Sequence, residues 1–378
     1  MFFFAPFLQA HPQRARLVAV ADADQARLRS AVADLGGNVR AYARFEALLG
    51  DPEVEAVIIA TPDFTHRQLF DQALDAGKHV LCEKPMATTL EDALHMARRA
   101  MAVPQVVQIG FMLRYAPFCV QLKQAVDAGV IGPLQYISAA EVVEYYHGAA
   151  FFRRWHRFRR YSGGLLVHKA CHTLDVINWL VGAPPVWVTA RGGTDTFVPL
   201  PQAAMHCCDC SLQPTCPAAY RPDRYNYVYQ PREASTVRYD LCAYNSDKDS
   251  IDNAALLVQY ANGVRLSFGF TITGARHDRR FLLVGQHGQI TASQADGTIT
   301  VTPQGGTPQT TILPETLRDE HGGGDAPLLD DFLTCVAQGT RPVADVLAGL
   351  HSVALGDAAT RSLERDGQGI DIQLPLTQ

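Results

Sequence analysis

Short apolar runs alternate with helix-forming segments through the N-terminal part of the chain, and this alternation limits the fold more than any other feature. The runs are LVAVADAD, VEAVIIATP, HVLCEKP and QVVQIGFMLR, and the first predicts a buried strand from Leu17 to Ala21. The helix-forming segment DFTHRQLFDQALDAG is opened by Asp63 and closed by Gly77. Continuous Val/Ile/Leu runs separated by helices are typical of a parallel sheet covered on both faces. The sequence therefore predicts an α/β, doubly wound nucleotide-binding domain.

One part of such a domain is missing from the sequence. The first strand of a doubly wound sheet leads into a glycine-rich turn that holds the cofactor pyrophosphate. This chain opens on MFFFAPFLQA, which is typical of the helix after that turn, so LVAVADAD takes the place of the second strand. We expect Met1 to be an internal methionine of a longer protein. The alternative is a domain that has lost its first strand and phosphate loop.

The character of the sequence changes after residue 115. PFCVQLKQAVDAGVIGPL predicts a helix and turn, QYISAAEVVEYY a strand, and SGGLLVHKACHTLDVINWLVG one helix that ends at Gly182. VRYDLCAYN, AALLVQYANGVRLSFGFTI, RRFLLVGQHGQITAS and GTITVTP predict antiparallel strands, with a turn at Asn262-Gly263. Two closing helices follow. We therefore predict a nucleotide-binding domain over 1–115 and an α+β domain with a large open antiparallel sheet over 116–378.

Charge and hydropathy exclude two classes of partner. The net charge is −5 over 378 residues, and no basic run suggests nucleic acid or an anionic membrane surface. No later stretch approaches the roughly 18 apolar residues of a membrane span, and the apolar N-terminal segment lacks the basic start of a signal peptide. We therefore expect a cytoplasmic protein whose partner is a small molecule.

Four of the nine cysteines crowd into HCCDCSLQPTC. Cys207, Cys210 and Cys216 follow a C-x2-C-x5-C pattern, and Cys242 on a neighbouring predicted strand is the predicted fourth ligand. Four thiolates at such spacing suit a structural tetrahedral zinc ion, with an iron–sulfur cluster as an alternative. Free thiols in a loop are the remaining alternative.

Lys84 lies between Glu83 and Pro85 at the end of the third predicted strand. Doubly wound sheets bind ligands at the carboxyl ends of their strands. Pro85 restricts the backbone of Lys84, and Glu83 can orient the lysine amine. A lysine in a partly desolvated cleft can serve as a general acid or base, whereas a solvated turn lysine is the structural alternative.

The predicted helix LLVHKACHTLDVINWL carries His168, His172, Asp175 and Trp179 at i, i+4, i+7 and i+11, which places them on one face. Either imidazole can relay a proton, and two histidines at this spacing also fit a metal pair. Histidines with structural hydrogen bonds are the alternative.

These two stretches together resemble the Gfo/Idh/MocA oxidoreductases, the glucose–fructose oxidoreductase and inositol dehydrogenase family. The resemblance lies in EKPMATT followed by GGLLVHKACHTLDVINWLVG, and extends to LVAVADAD, ATPDFTH, GFMLRYAP and NGVRLSFGFT. It implies a Rossmann-like domain, an open antiparallel sheet domain, NAD or NADP, and hydride transfer at a sugar or cyclitol hydroxyl. FFRRWHR and HGGGDAPL resemble a less characterised branch, so inositol specificity is not transferred.

The resemblance assigns catalytic roles by matched position. Lys84 is implied to be the acid/base for the substrate hydroxyl. The family pattern D-x-G-x-H-x-x-D places its histidine on His172 and its last acid on Asp175. Its first acid falls on His168, which is a departure from the family pattern. That departure leaves open which group relays the proton and whether simple dehydrogenation is the net reaction.

The resemblance also implies binding residues. An acid at Asp22 favours NAD over NADP, because it would repel a 2′-phosphate. Two of the candidate substrate residues have structural alternatives. Arg114 could instead bind a carboxylate of the protein, and Trp155 could instead belong to the core. The implied cofactor residues are Asp22, Thr61, Pro62, His66, Glu83 and Lys84, and the candidate substrate residues are Arg114, Tyr115, Trp155, His156 and Lys169.

Three functions remain open at this point. The first is an NAD(P)-dependent dehydrogenase acting on a sugar, glycoside or cyclitol, in which Lys84, His172, His168 and Asp175 form the catalytic group. The second is an NAD-dependent glycosidase or lyase that oxidises its substrate transiently with no net redox change. The third is a non-enzymatic binding protein that has lost its cofactor. By analogy with the family, the second-domain sheet is expected to form a dimer or tetramer.

Overall fold

The structure is a computed structural model that describes residues 4–221, 239–317 and 321–376. It contains a domain with parallel strands followed by a domain with one large, mostly antiparallel sheet, which confirms the predicted fold class. Within these ranges no helix combines the length and apolar composition needed to cross a membrane.

The first domain contains two sets of parallel strands. β1 pairs with β2, and β3, β4 and β5 form a second sheet in that order, so the predicted parallel arrangement is present in two pieces. The β1 strand is shorter than predicted, and β2 and α3 were not predicted. The elements are α1 Phe4–Ala10, β1 Ala19–Ala21, α2 Gln25–Asp34, β2 Arg40–Tyr42, α3 Phe45–Leu49, β3 Ala56–Ile59, α4 His66–Asp75, β4 His79–Cys82, α5 Leu90–Met101 and β5 Val107–Ile109.

The second domain is built on a nine-stranded sheet in the order β13-β12-β11-β10-β6-β9-β8-β7-β14. Only β6 and β9 pair in parallel, and the predicted hairpin turn at Asn262-Gly263 joins β8 to β9. The strands are β6 Leu134–Glu144, β7 Pro185–Gly193, β8 Asn253–Tyr260, β9 Arg265–Gly274, β10 Asp278–Gly285, β11 Gly288–Ser293, β12 Thr298–Pro303, β13 Gln309–Ile312 and β14 Ile370–Asp371, and the helices are α6 Pro117–Asp127, α7 Tyr145–Phe151, α8 Arg159–Ser162, α9 Leu165–His168, α10 Cys171–Val181, α11 Asp325–Gln338 and α12 Val346–Glu364.

The predicted single helix at the start of the second domain is two helices, α9 and α10. The main-chain N–H groups of Lys169 and Ala170 both bond to the carbonyl of Leu165, which widens the turn and interrupts the regular i to i−4 ladder. His168 therefore ends α9 while His172 lies in the first turn of α10, and the two side chains do not belong to one continuous helical stripe.

Two other sequence expectations are wrong. The segment predicted as the strand VRYDLCAYN forms turns where the structure describes it, at residues 239–245, with a single bridge between Leu241 and His206. Its first two residues lie outside the described ranges. The strand QYISAAEVVEYY ends at Glu144, because the Glu144 carboxylate accepts the main-chain N–H of His147 and caps α7.

C-terminal segments complete the first domain. Helix α12 packs against α5 and β5 of the first domain as well as α10 and β7 of the second. The main-chain N–H of Ile109 on β5 bonds to the carbonyl of Ala344 at 2.9 Å, and the buried Gln108 side chain donates to the carbonyl of Leu328 at 2.9 Å. The end of the chain therefore covers the β5 side of the first domain.

Candidate functional site

Lys84 lies in the crevice between the domains, immediately after β4 and next to the ends of β3 and β5. Its amine donates to the main-chain carbonyl of His168 in the second domain, at 3.4 Å. The carboxyl ends of parallel strands are where doubly wound sheets bind ligands. The structure thus places the lysine of the EKP motif at the ligand-binding edge and against the helix pair that carries the two histidines.

Glu83 is held directly behind Lys84. Its Oε2 accepts the main-chain N–H of Lys84 at 3.2 Å, and burial raises the pKa of the carboxyl against the opposing effect of the lysine charge. Gly110, after β5, lies so close that an added Cβ would be 2.8 Å from this oxygen. Glu83 therefore supports the backbone of Lys84 and leaves little space between the ends of β4 and β5.

The loop after β3 is tied to the loop after β4 by His66, which is fully buried. Its Nδ1 lies 2.9 Å from the carbonyl oxygen of Pro85, and its Nε2 lies 3.0 Å from that of Thr61. Thr61 and Pro62 are exposed at the crevice edge of this loop. His66 is thus positioned to hold the two loops together, while Thr61 and Pro62 are among the exposed residues of this motif.

Asp63, in the same loop, is a site residue that the sequence reasoning missed. The sequence indicates only that Asp63 opens a helix. In the structure its Oδ2 lies 2.6 Å from Nδ1 of His168 across the crevice. Both side chains are buried. Two features of the sequence together indicate the pair. His168 stands where the family pattern has an acid, and Asp63 in ATPDFTH is an acid without an assigned role.

His168 and His156 belong to a cluster of aromatic rings on the second-domain side. The His168 ring lies 4.4 Å from that of His156 and 5.7 Å from that of Trp155, and Trp155 stacks on His156 at 3.9 Å. Burial lowers the pKa of both histidines well below the ordinary value, and nearby positive groups such as Lys84 add to the effect. The cluster therefore presents neutral imidazoles to the crevice.

His172 is buried in the first turn of α10, with its ring 6.5 Å from that of Phe111. Its Nδ1 is buried and has no hydrogen-bond partner among the described residues. Burial, followed by the positive charge of Lys84, holds the pKa of His172 well below its ordinary value. A buried polar atom without a partner is costly in a folded protein, which favours a bound ligand as its missing partner.

Asp175 and Arg114 bind each other rather than the open crevice. The Arg114 guanidinium donates to both Asp175 oxygens, each at 2.8 Å, and also to the carbonyl of Val343 at 2.8 Å. The neighbouring Tyr115 hydroxyl donates to Asp331 at 2.7 Å and accepts the N–H of Ala344 at 3.2 Å. These contacts correspond to the carboxylate clamp considered as the structural alternative for Arg114.

The remaining candidates lie at the two ends of the crevice. Lys169 is buried at the junction between α9 and α10. Asp22 follows β1 and is bound by Arg27, whose Nε and Nη2 both lie 3.2 Å from its carboxylate oxygens. The predicted acid at the end of the first described strand is therefore present, with a guanidinium beside it.

The predicted zinc site is not supported. Within the described residues no group of three or more His, Cys, Asp or Glu side chains could hold a metal ion. Cys207, Cys210, Cys216 and Cys242 instead line one small cavity as free thiols. Main-chain N–H groups of Tyr220 and Ala204 donate to the sulfurs of Cys207 and Cys210, respectively.

Comparison with solved structures and curated proteins agrees with this architecture. A levoglucosan dehydrogenase, solved with NADH and levoglucosan, matches with a TM-score of 0.76 at 19% identity, over 98% of this chain and 95% of that chain. The Bacillus subtilis (strain 168) protein YteT is 29% identical over 84% of this chain and 82% of its own length. Inositol 2-dehydrogenase 1 of Saccharopolyspora erythraea is 40% identical over 47% of this chain and half of that protein.

Two family descriptions match almost the whole chain. The NAD-binding Rossmann fold of the Gfo/Idh/MocA oxidoreductases matches residues 3–111, and the C-terminal alpha/beta domain of the same oxidoreductase family matches residues 123–372. The resemblance inferred from the EKP and second-domain helix motifs is therefore confirmed. The chain belongs to the Gfo/Idh/MocA oxidoreductase family.

Proposed function

We propose that the protein is an NAD(P)-dependent oxidoreductase that transfers a hydride between a CH–OH carbon of a sugar, glycoside or cyclitol and the nicotinamide ring. The observation that carries this proposal is the meeting of Lys84, at the carboxyl end of β4, with the helix pair that carries His168 and His172. Nδ1 of His172, which is buried and has no hydrogen-bond partner among the described residues, favours a bound ligand at this place.

The residues of the first domain fit a dinucleotide at its two ends. Asp22 is placed to bind the hydroxyls of the adenosine ribose, and its negative charge favours NAD over NADP. The surface at the strand ends next to Lys84 is formed by Thr61 and Pro62. His66 and Glu83 support this surface through their hydrogen bonds to the main chain. When bound, the nicotinamide accepts or returns the hydride.

The proton that accompanies the hydride is assigned to the polar group around Lys84, to which His172 and His168 belong. During oxidation the C–H bond loses its hydride and the O–H bond loses its proton, so a base must lie beside the hydroxyl. Burial keeps His172 neutral, so a ring nitrogen can accept a hydrogen bond from the substrate hydroxyl. Asp175, held by Arg114, orients α10 rather than exchanging protons itself.

The substrate is proposed to bind between this group and the loop that carries Trp155 and His156. Sugar sites combine an aromatic face with several hydrogen-bonding groups, and the stacked Trp155–His156 pair with Lys169 nearby supplies both. The names of the levoglucosan dehydrogenase and inositol dehydrogenase relatives support a sugar or cyclitol as substrate class. Arg114 and Tyr115 act at a distance, by holding the domain junction.

Lys84→Ala is the test of this proposal. We expect kcat for NADH formation with a panel of sugars and cyclitols to fall about a hundredfold or more, because the proton relay beside the substrate hydroxyl loses its lysine. NAD⁺ affinity, measured by fluorescence quenching, should change little. Lys78→Ala is the matched control, since Lys78 also donates to a main-chain carbonyl, that of Val54, but lies outside the crevice. Full activity of Lys84→Ala would contradict the assignment, and substrate turnover by the wild type without net NADH would indicate the redox-neutral reaction instead.

We also propose that the protein self-associates through the open face of the nine-stranded sheet. Along β8 the residues alternate between the core and the surface, so that Leu256 and Val258 are buried while Leu257 is 55% exposed. A sheet face with exposed apolar side chains is typical of a protein–protein contact surface.

A further inference from the structure

Asp63 and His168 form a hydrogen-bonded pair that spans the crevice between the domains. Asp63 comes from the loop after β3 in the first domain, and His168 from the end of α9 in the second. The 2.6 Å separation between Oδ2 and Nδ1 is that of a charge-assisted or proton-sharing hydrogen bond. The two residues are only 5% and 7% exposed, so water contributes little to either.

Burial, more than the side chains that face the pair, sets its protonation. Lys84 and His66 face Asp63, whereas Lys84, Lys169, His66 and His147 face His168. Burial raises the pKa of Asp63 to about 7, and burial with the surrounding positive groups lowers the pKa of His168 well below its ordinary value. Both shifts disfavour a doubly ionised pair, so the pair takes up a proton near neutral pH.

The pair also has a defined orientation. A carboxylate that accepts from Nδ1–H leaves the lone pair of the imidazole on Nε2. The hydrogen bonds of the described residues give Nε2 no protein partner. The ring is held on its second-domain side by Phe151, Trp155 and His156, with ring centroids between 4.4 and 5.8 Å away.

We propose that Asp63 is a positioning residue for the reaction: it holds His168 with its hydrogen on Nδ1, so that Nε2 exchanges a proton with the bound substrate beside Lys84. The inference rests on the proposed oxidoreductase function. During oxidation the proton from the substrate O–H moves to Nε2 while the hydrogen on Nδ1 shifts to Asp63, so the pair gains one proton in total, and the hydride leaves to the nicotinamide. The acid that the motif was expected to carry at position 168 is thus supplied from the opposite wall of the crevice.

The first experiment needs no turnover. Histidine ¹⁵N NMR of the wild-type protein should show one imidazole with a strongly hydrogen-bonded Nδ1–H and an unprotonated Nε2 above neutral pH. His168→Gln should remove this signal, and Asp63→Asn should shift it. A signal that is unchanged in Asp63→Asn, or an Nε2–H tautomer of His168 in the wild type, would overturn the proposal.

The second experiment follows kcat against pH. Asp63→Asn and His168→Gln should each lower kcat about a hundredfold with KM changed less than about threefold, and the double variant should be no worse than either, because the two residues act as one unit. The fall of wild-type kcat below about pH 7, where the pair gains its proton, should be absent from Asp63→Asn.

Asp71→Asn is the matched control, because Asp71 lies 2.8 Å from His95 in a similar pair outside the crevice. It should retain wild-type kcat, and melting curves of every variant confirm that each is folded. A wild type that reduces NAD⁺ with an equally active Asp63→Asn would overturn this inference alone. A wild type that reduces no NAD⁺ would instead contradict the proposed function, and the NMR signal would then decide whether Asp63 positions His168.

Discussion

Arg114 and Asp175 form a buried ion pair, and its effect on stability can be tested residue by residue. Two parallel hydrogen bonds join the guanidinium to a carboxylate that is fully buried. Removing one partner of a buried ion pair leaves an uncompensated charge, which typically costs about 3–5 kcal/mol.

We therefore expect Arg114→Ala to lower the free energy of unfolding by roughly 3–5 kcal/mol, as measured by urea denaturation. Arg114→Ala combined with Asp175→Asn should be less destabilising than the single variant, since the orphaned carboxylate is gone. The exposed ion pair of Arg276 with Asp296, at 2.7 Å, is the control, and its Arg276→Ala variant should lose less than about 1 kcal/mol. An equal loss in the buried and exposed variants would contradict the clamp.

The raised pKa of Asp63 makes a prediction about stability and pH. Between the ordinary carboxyl value of 3.8 and about 7, the folded protein keeps a proton on Asp63 that the unfolded chain releases. The contribution of Asp63 to the free energy of unfolding therefore falls as the pH rises from 3.8 to about 7. The free energy of unfolding of Asp63→Asn minus that of the wild type should become more positive from pH 5 to pH 8, in urea titrations at each pH. A difference that does not depend on pH would show that Asp63 is already ionised at pH 5.

The sequence motifs indicated which residues lie in the crevice, but they did not indicate which side chains hydrogen-bond to one another there. Lys84 and His172 were placed in the crevice by their motifs, because motif and strand end both act locally along the chain. Asp63 was missed, since its partner His168 lies in the other domain and nothing local marks such a pair. The metal prediction for the cysteines is not supported, because spacing in sequence can bring four cysteines to one cavity without arranging them as metal ligands.

At the scale of elements, the turn before α9 depends on glycine. Gly163 has φ +71°, and an added Cβ would lie 2.6 Å from the carbonyl oxygen of Thr88 in the first domain. Gly182, at the end of α10, has a similar φ of +68° but open space around it. The two glycines thus share a backbone requirement and differ in steric surroundings.

Gly163→Ala is expected to destabilise the protein more than Gly182→Ala. The φ value alone costs about 1 kcal/mol at each position, whereas the contact with Thr88 adds steric strain only at Gly163. Thermal unfolding followed by circular dichroism measures both variants. Because the displaced loop lies against the segment after Lys84, Gly163→Ala should also reduce kcat, and equal melting temperatures for the two variants would contradict this account.

Element types were predictable where the hydrophobic period was clear. The strands β3 and β4 and the hairpin β8–β9 carry strong apolar patterns and were predicted. The strand β2 is three residues long and none of them is buried, so its sequence has no apolar pattern that would predict a strand. The break between α9 and α10 was missed because its apolar pattern continues through Ala170, and only the hydrogen bonds to Leu165 reveal it.

For the whole molecule, the open sheet face predicts an oligomer. Leu257→Asp should shift the protein toward the monomer in light scattering coupled to size exclusion, because a charge on this face opposes its burial. Met101→Asp is the control, since Met101 is similarly exposed, at 53%, but lies on α5 of the first domain. A wild-type monomer at micromolar concentration would contradict the proposed self-association.

The two-domain architecture could be predicted from the sequence because parallel and antiparallel sheets have different apolar patterns. The way in which the domains interlock could not. The carbonyl of Ala344 bonds to Ile109, and that of Leu328 to Gln108, over more than half the length of the chain. Such pairs have no local pattern, and they decide which segments cover β5.

That interlocking sets an order of events during translation. The nascent nucleotide-binding domain leaves the ribosome without the segments that cover β5, since Leu328 and Ala344 have not yet been synthesised. Helix α12 reaches α5 later still. The emerging domain therefore exposes an apolar strand edge for most of the synthesis time, and an edge of this kind favours aggregation of the newly made chain more than of the mature protein.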